Sequence, residues 1–169
     1  MCRPGVDDWC APFHHGSMTR NPRGDTGPGG TPDAEWQSVL SHRTEDDGSR
    51  DAAAARFAAA GVGAAQVREA LSDGGDALYR AARQRRAGWT EPFGGSLAVA
   101  LLAAEVSLFA AHLNSRASGI RSEAVAALLE DYSAVTVAGE LGISRQKVYE
   151  IARTGLRPPY IDTVPWRTP

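Results

Sequence analysis

Between positions 141 and 157 the chain carries Arg145, Lys147, Arg153 and Arg157 against one acid, Glu150. Guanidinium and ammonium groups at that density suit ion pairs and charge-assisted hydrogen bonds to phosphate oxygens. Ser144, Gln146 and Tyr149 lie among them and add neutral donors and acceptors. This is the chemistry of recognition, not of bond making. Groups suited to catalysis are not assembled anywhere else. The sequence has no phosphate-binding loop, no Gly-x-Ser-x-Gly elbow, no His-Glu-x-x-His and no Cys-x-x-Cys. Of the four histidines, His14, His15 and His42 fall in expected loops and His112 on an apolar helix. Cys2, Cys10, His14 and His15 supply four zinc-ligand types, but their spacing matches no compact finger. The expectation is a binding protein with no catalytic residue, metal or cofactor.

The polar run needs a helix to display it and a turn to aim it. Ala138 is small enough for a second helix to press against, and Gly142 lies four residues later, where a left-handed turn is needed. Ser144 can cap the next helix. Val137, Leu141, Ile143, Val148 and Ile151 have the spacing of an inter-helix contact. Residues 118–131 read as a preceding helix, capped by Ser118 or Ser122. Its apolar face is Ile120, Ala124 and Leu128 with Val125 and Leu129.

A small residue, a glycine four on, then apolar inter-helix positions: this pattern resembles the helix-turn-helix superfamily of DNA-binding proteins. The run from Gly142 to Tyr149 is similar to recognition helices of bacterial regulators, including resolvase C-terminal and sigma-factor region 4 domains. The resemblance covers about a fifth to a quarter of the chain, and no recombinase catalytic domain precedes it. It implies a trihelical DNA-binding domain at 117–155, with the helix starting at Ser144 in the major groove of double-stranded DNA. Arg145, Gln146 and Tyr149 would then reach base edges, since Arg and Gln bond bidentately to guanine and adenine. Ser144, Lys147 and Arg153 would hold phosphates. Glu150 would accept from cytosine or pair with a neighbouring arginine.

The remaining chain reads as support. Residues 1–48 are expected to be a mostly disordered leader, rich in Pro and Gly, with a short helix near 32–42 capped by Thr31. The stretch 42–50 reads as a charged linker. Residues 49–116 form an alanine-rich helical region: helices over 51–60 and 64–71, a third over 76–86 capped by Asp76, and the apolar run 96–113. Arg80, Arg83, Arg85 and Arg86 crowd the third of these. They offer a second basic surface or serve the helix C-terminus. The 96–113 run approaches the length of a membrane span, but an ionised Glu105 at mid-bilayer would cost about 2.5 kcal/mol or more. A central helix buried by its own chain or by a second copy is therefore expected, with Glu105 and His112 at a core edge or interface. Residues 156–169 read as an extended tail, too apolar at Tyr160, Ile161, Val164 and Trp166 for a spacer.

Lys147 is the sole lysine among 18 basic residues, which points to a GC-rich bacterial genome. The net charge of −2 provides no global field for nucleic acid, so contact must come from local patches. The expected protein is all-α: a helical bundle with a C-terminal trihelical helix-turn-helix domain. No basic region followed by an apolar stretch opens the sequence, so a cytoplasmic location is expected. The charged Glu105 argues against a membrane span, and the helix-turn-helix resemblance implies a homodimer on paired DNA half-sites. The rival reading is a protein-interaction module, sigma-like or binding a partner helix, with no direct DNA readout.

Overall fold

The computed structural model describes residues 32–43, 47–157, 160–161 and 164–165. The first 31 residues of the expected leader, with the Thr31 cap and the Cys/His group, lie outside the described residues, whereas its short helix is present and ends in a hydrophobic core at Val39 and Leu40. The described chain is all-helical, without a strand. Its elements are α1 (Pro32–Val39), α2 (Asp47–Ala59), α3 (Ala64–Ser72), α4 (Asp76–Gln84), a 3₁₀ turn (Glu91–Phe93), α5 (Ser96–Asp131), α6 (Ala134–Leu141) and α7 (Arg145–Ala152).

Helix α5 is the spine. Its 36 residues span about 54 Å and carry two separate cores. Toward its N-terminus, Ala98, Leu102 and Phe109 pack with Val39 at the end of α1, Leu40 after it, Phe57 of α2, Val62 before α3, Val67 and Leu71 of α3, and Leu78 of α4. Toward its C-terminus, Val125 packs with Ala134 and Val137 of α6 and Val148 and Ile151 of α7.

The sequence suggested two helices, 96–113 and 118–131, in separate domains; the structure has one. The intervening residues include no proline, and Ser118 and Ser122 cap nothing, because both lie inside the helix. Gly119 does not break the helix but makes room beside it. A Cβ there would come within 2.7 Å of Leu156 Cδ1. Ser122 is fully buried and joins two segments: its Oγ donates to the Ile151 carbonyl at 2.6 Å and accepts the Gly155 N–H at 2.7 Å. The ridge Gly119–Ser122–Val125 is thus the one that faces α7 and the chain beyond it. Ile120, expected inside, is 57% exposed, and Leu128 is 38% exposed. Close backbone approach and a hydrogen bond outweigh side-chain apolarity in choosing the packed face.

Other boundaries differ for similar local reasons. Asp73, not Asp76, caps α4: its carboxylate accepts the N–H groups of Gly75 at 2.8 Å and Ala77 at 3.0 Å. That helix stops at Arg85, which takes a left-handed conformation, before Gly88 is reached. The expected linker after His42 is short, since α2 already begins at Asp47.

The segment after α7 returns along α5. Leu156 N–H donates to Glu123 Oε1 at 2.9 Å, and the Tyr160 hydroxyl donates to the Ser115 carbonyl at 3.4 Å. The Tyr160 ring meets His112 edge-on, with centroids 5.8 Å apart. Ile161 and Val164 then reach the first core. The described contacts thus run from Glu123 past Ser115 and His112 to the first core.

Candidate nucleic-acid interface

The polar run of the sequence lies on α7, and its placement is built locally. Ser133 Oγ caps α6 by accepting the Thr136 N–H at 3.2 Å. Helix α6 ends with Gly142 left-handed (φ 64°). Ile143 N–H bonds back to Ala138 O at 3.1 Å, and Gly142 N–H to Gly139 O at 3.3 Å. This 6→1 and 5→2 pair is a Schellman stop. Ser144 Oγ then caps α7 through the Lys147 N–H at 3.1 Å, worth about 1 kcal/mol. Nothing stands within 4 Å of a Cβ placed on Gly142. Gly142→Ala should therefore cost backbone strain alone, about 1–2 kcal/mol, as read by urea denaturation. A larger loss would mean that the turn is packed as well as bent.

Val148 and Ile151 anchor the inner face of α7. At 100° per residue, Gln146 and Arg153 then face outward, Tyr149 and Glu150 lie about 50° to either side, Lys147 is farther round the flank, and Arg145 is at the N-terminal tip. All six, with Ser144, are exposed. Among the described residues, no hydrogen bond or ion pair holds the side chains of Arg145, Gln146 or Arg153. Glu150 pairs with Lys147, not with an arginine, at 2.7 Å one turn away. Leu141, expected between the helices, is 43% exposed.

Charge is mixed on this half of the molecule. Positions 117–155 hold four basic and five acidic residues, so the unit as a whole is not basic. Of the acids, Glu130 and Asp131 end α5, Glu140 is on α6, and Glu150 is on α7 itself, paired with Lys147. The arginine cluster of α4 belongs to the other half. Leu78 of that helix is in the first core, and Arg83 stacks over the Tyr79 ring at 5.7 Å. The expected base-edge and phosphate residues are thus on one short helix, while the second basic surface stands on a different core.

A constellation that sequence reasoning missed lies against the first core, with His42 touching Phe109. Glu105 Oε1 accepts from His42 Nε2 at 2.7 Å and from Arg43 Nε at 2.9 Å, and Oε2 accepts from Arg43 Nη2 at 2.6 Å. The His42 and Glu105 side chains are 1% and 2% exposed. Burial raises the Glu105 pKa, but the His42 and Arg43 hydrogen bonds and charges overcome it and hold the carboxyl below its ordinary value. A carboxylate only accepts, so His42 carries its proton on Nε2. The signal available in the sequence was Glu105 itself, a single acid on an apolar helix that must find a partner.

Comparison with known protein families, curated proteins and solved structures finds no match.

Proposed function

We propose that residues 117–155 form a helix-turn-helix unit, and that the protein is a sequence-specific DNA-binding transcriptional regulator acting in the cytoplasm. The observation that carries this reading is the Gly142–Ser144 turn. It joins two capped helices over a small shared core and leaves an outer face of α7 that is polar apart from Tyr149. An eight-residue helix of this kind fits the major groove. Arg145 at the tip, Gln146 on the ridge and Tyr149 beside it are the base-edge candidates, and Ser144, Lys147 and Arg153 the phosphate candidates. Phosphate contact by Lys147 competes with its bond to Glu150, which is then released to accept from a cytosine amine. The near-neutral unit implies weak non-specific affinity, so recognition rests on these few side chains.

A second reading has an observation of its own. Leu128 of α5, Tyr132 in the connection after it, and Val135 and Leu141 of α6 are all exposed. A groove of about 320 Å³ opens there between Leu128, Tyr132, Thr136, Val137 and Glu140. Such a surface suits a protein partner.

Selection of bound sites from random duplex DNA by the full chain tests the first reading. On the selected site, affinity should fall steeply with salt, and Arg145→Ala should cost about 1–3 kcal/mol while relaxing preference at one base pair. Absence of binding at low salt would favour the protein-partner reading, and unchanged preference in Arg145→Ala would remove that residue from the base contacts.

A further inference from the structure

The outer face of α5 has no cover among the described residues. Leu97 (66% exposed), Ala100, Ala104, Leu108 (46% exposed) and Ala111 follow one another along it at helical spacing, with Ser115 and Ser118 beyond. This face points away from the ridge Ala98–Leu102–Phe109 that packs the first core. No charged side chain lies on it. Glu105 turns inward to His42 and Arg43, and Arg116 is half-buried farther along. An acidic or basic partner would find no complement here, whereas a neutral face complements itself.

The order of side-chain sizes makes that complementarity specific. In an antiparallel helix pair centred on Ala104, residue 97 faces residue 111 of the other copy, and residue 100 faces residue 108. Leu97 then meets Ala111, Leu108 meets Ala100, and Ala104 meets its own symmetry mate at the closest approach. Every large side chain lies over a small one, which is the condition for interdigitated packing. A parallel pair would instead set leucine against leucine and alanine against alanine.

We propose that this face of α5 pairs with the same face of a second copy, antiparallel about Ala104. The pairing goes beyond the DNA reading and does not depend on it. Ser122, the anchor of α7, lies far enough from Ala104 that the two anchors stand about 54 Å apart along the axis. A paired molecule therefore presents its two α7 helices more than one duplex turn (about 34 Å) apart.

Lipid is the other solvent for an uncharged helix, and α5 is long and apolar enough to span a bilayer. Its opposite face, however, is committed to Glu105 and to the helices packed around it, so only one side is available.

The test is sedimentation of the full chain over a concentration series. Wild type should dimerise. Ala104→Glu, which sets two carboxylates together at the twofold axis, should weaken the dimer at least about a hundredfold. Its far-UV circular dichroism should not change, because residue 104 is exposed. Oxidative crosslinking fixes the register in a background with Cys2→Ser and Cys10→Ser. Ala104→Cys alone and the Leu97→Cys/Ala111→Cys pair should both crosslink between copies, and Leu97→Cys alone should not. A monomer at all concentrations overturns the pairing, as does a folded Ala104→Glu chain that still dimerises. Crosslinking by Leu97→Cys alone overturns the antiparallel register. A monomer that instead sediments with phosphatidylcholine–phosphatidylglycerol vesicles assigns the face to lipid and also overturns the proposal. None of these outcomes bears on DNA binding by α7, which is measured separately.

Discussion

Glu105→Ala should destabilise the first core by about 3–5 kcal/mol, the range for removing one partner of a buried ion pair. The carboxylate is bonded by two residues of the turn after α1, His42 once and Arg43 twice. Removing it leaves the His42 ring buried without its bond and withdraws the charge that the Arg43 guanidinium, 16% exposed, faces. Little water can replace either contact. Glu105→Gln keeps the volume and one acceptor, so it should cost less. The pH dependence has a definite sign. The folded pKa lies below the unfolded one. The carboxylate's contribution is thus fully present above about pH 4.3, the unfolded value, and is lost as pH falls through the folded value. The stability difference between wild type and Glu105→Gln should be constant near neutrality and narrow in that acid range. Urea midpoints with an unchanged slope provide the measurement. A loss below about 1 kcal/mol for Glu105→Ala would put this cluster in the class of exposed ion pairs and contradict its burial.

The same cluster indicates where the sequence stops being legible. Glu105 was visible as an acid in need of a partner, but His42 and Arg43 lie more than sixty positions away. Nothing local marks a His-Arg pair in a short turn as buried. Short-range chemistry was easier to read. Gly142 and Ser144 act within three residues of themselves, and both do in the structure what their types suggest. Val137, Val148 and Ile151 follow from helical spacing in the same way. The face of α5 did not. Periodicity alone preferred Ile120 and Leu128, while α7 packs on Gly119, Ser122 and Val125. That choice depends on the chain after α7, whose Gly155 N–H and Leu156 N–H bond to Ser122 and Glu123, and no window of sequence contains both partners. The outward residues of α7 are legible as a set because burial of two positions fixes all the others. What they touch is not legible, since Arg145, Gln146 and Arg153 find no partner within the described chain.

Val148→Asp should separate the two halves of the molecule. Val148 is fully buried in a core of five side chains, with Val125, Ala134, Val137 and Ile151. An ionised carboxylate there has no cation within the cluster and costs several kcal/mol. So small a core cannot absorb that, and α6 and α7 should unfold from the end of α5. The first core shares no side chain with the second and has its own closing contacts at Phe57, Val67, Leu71 and Phe109. Opening should therefore be local, as for a separate cooperative unit. Amide hydrogen exchange should show protection lost at Val137, Val148 and Ile151 and retained at Val67, Leu71 and Phe109. Loss at both sets would show instead that α5 and the returning segment make the chain one cooperative unit. The variant also sharpens the functional test. On the reading proposed for α7, both Val148→Asp and Arg145→Ala lose affinity for a selected DNA site. Only the second does so with every amide still protected, because it removes a contact and leaves the fold intact. If Val148→Asp unfolds α7 and binding persists, the DNA contact lies elsewhere, and the arginines of α4 become the surface to test.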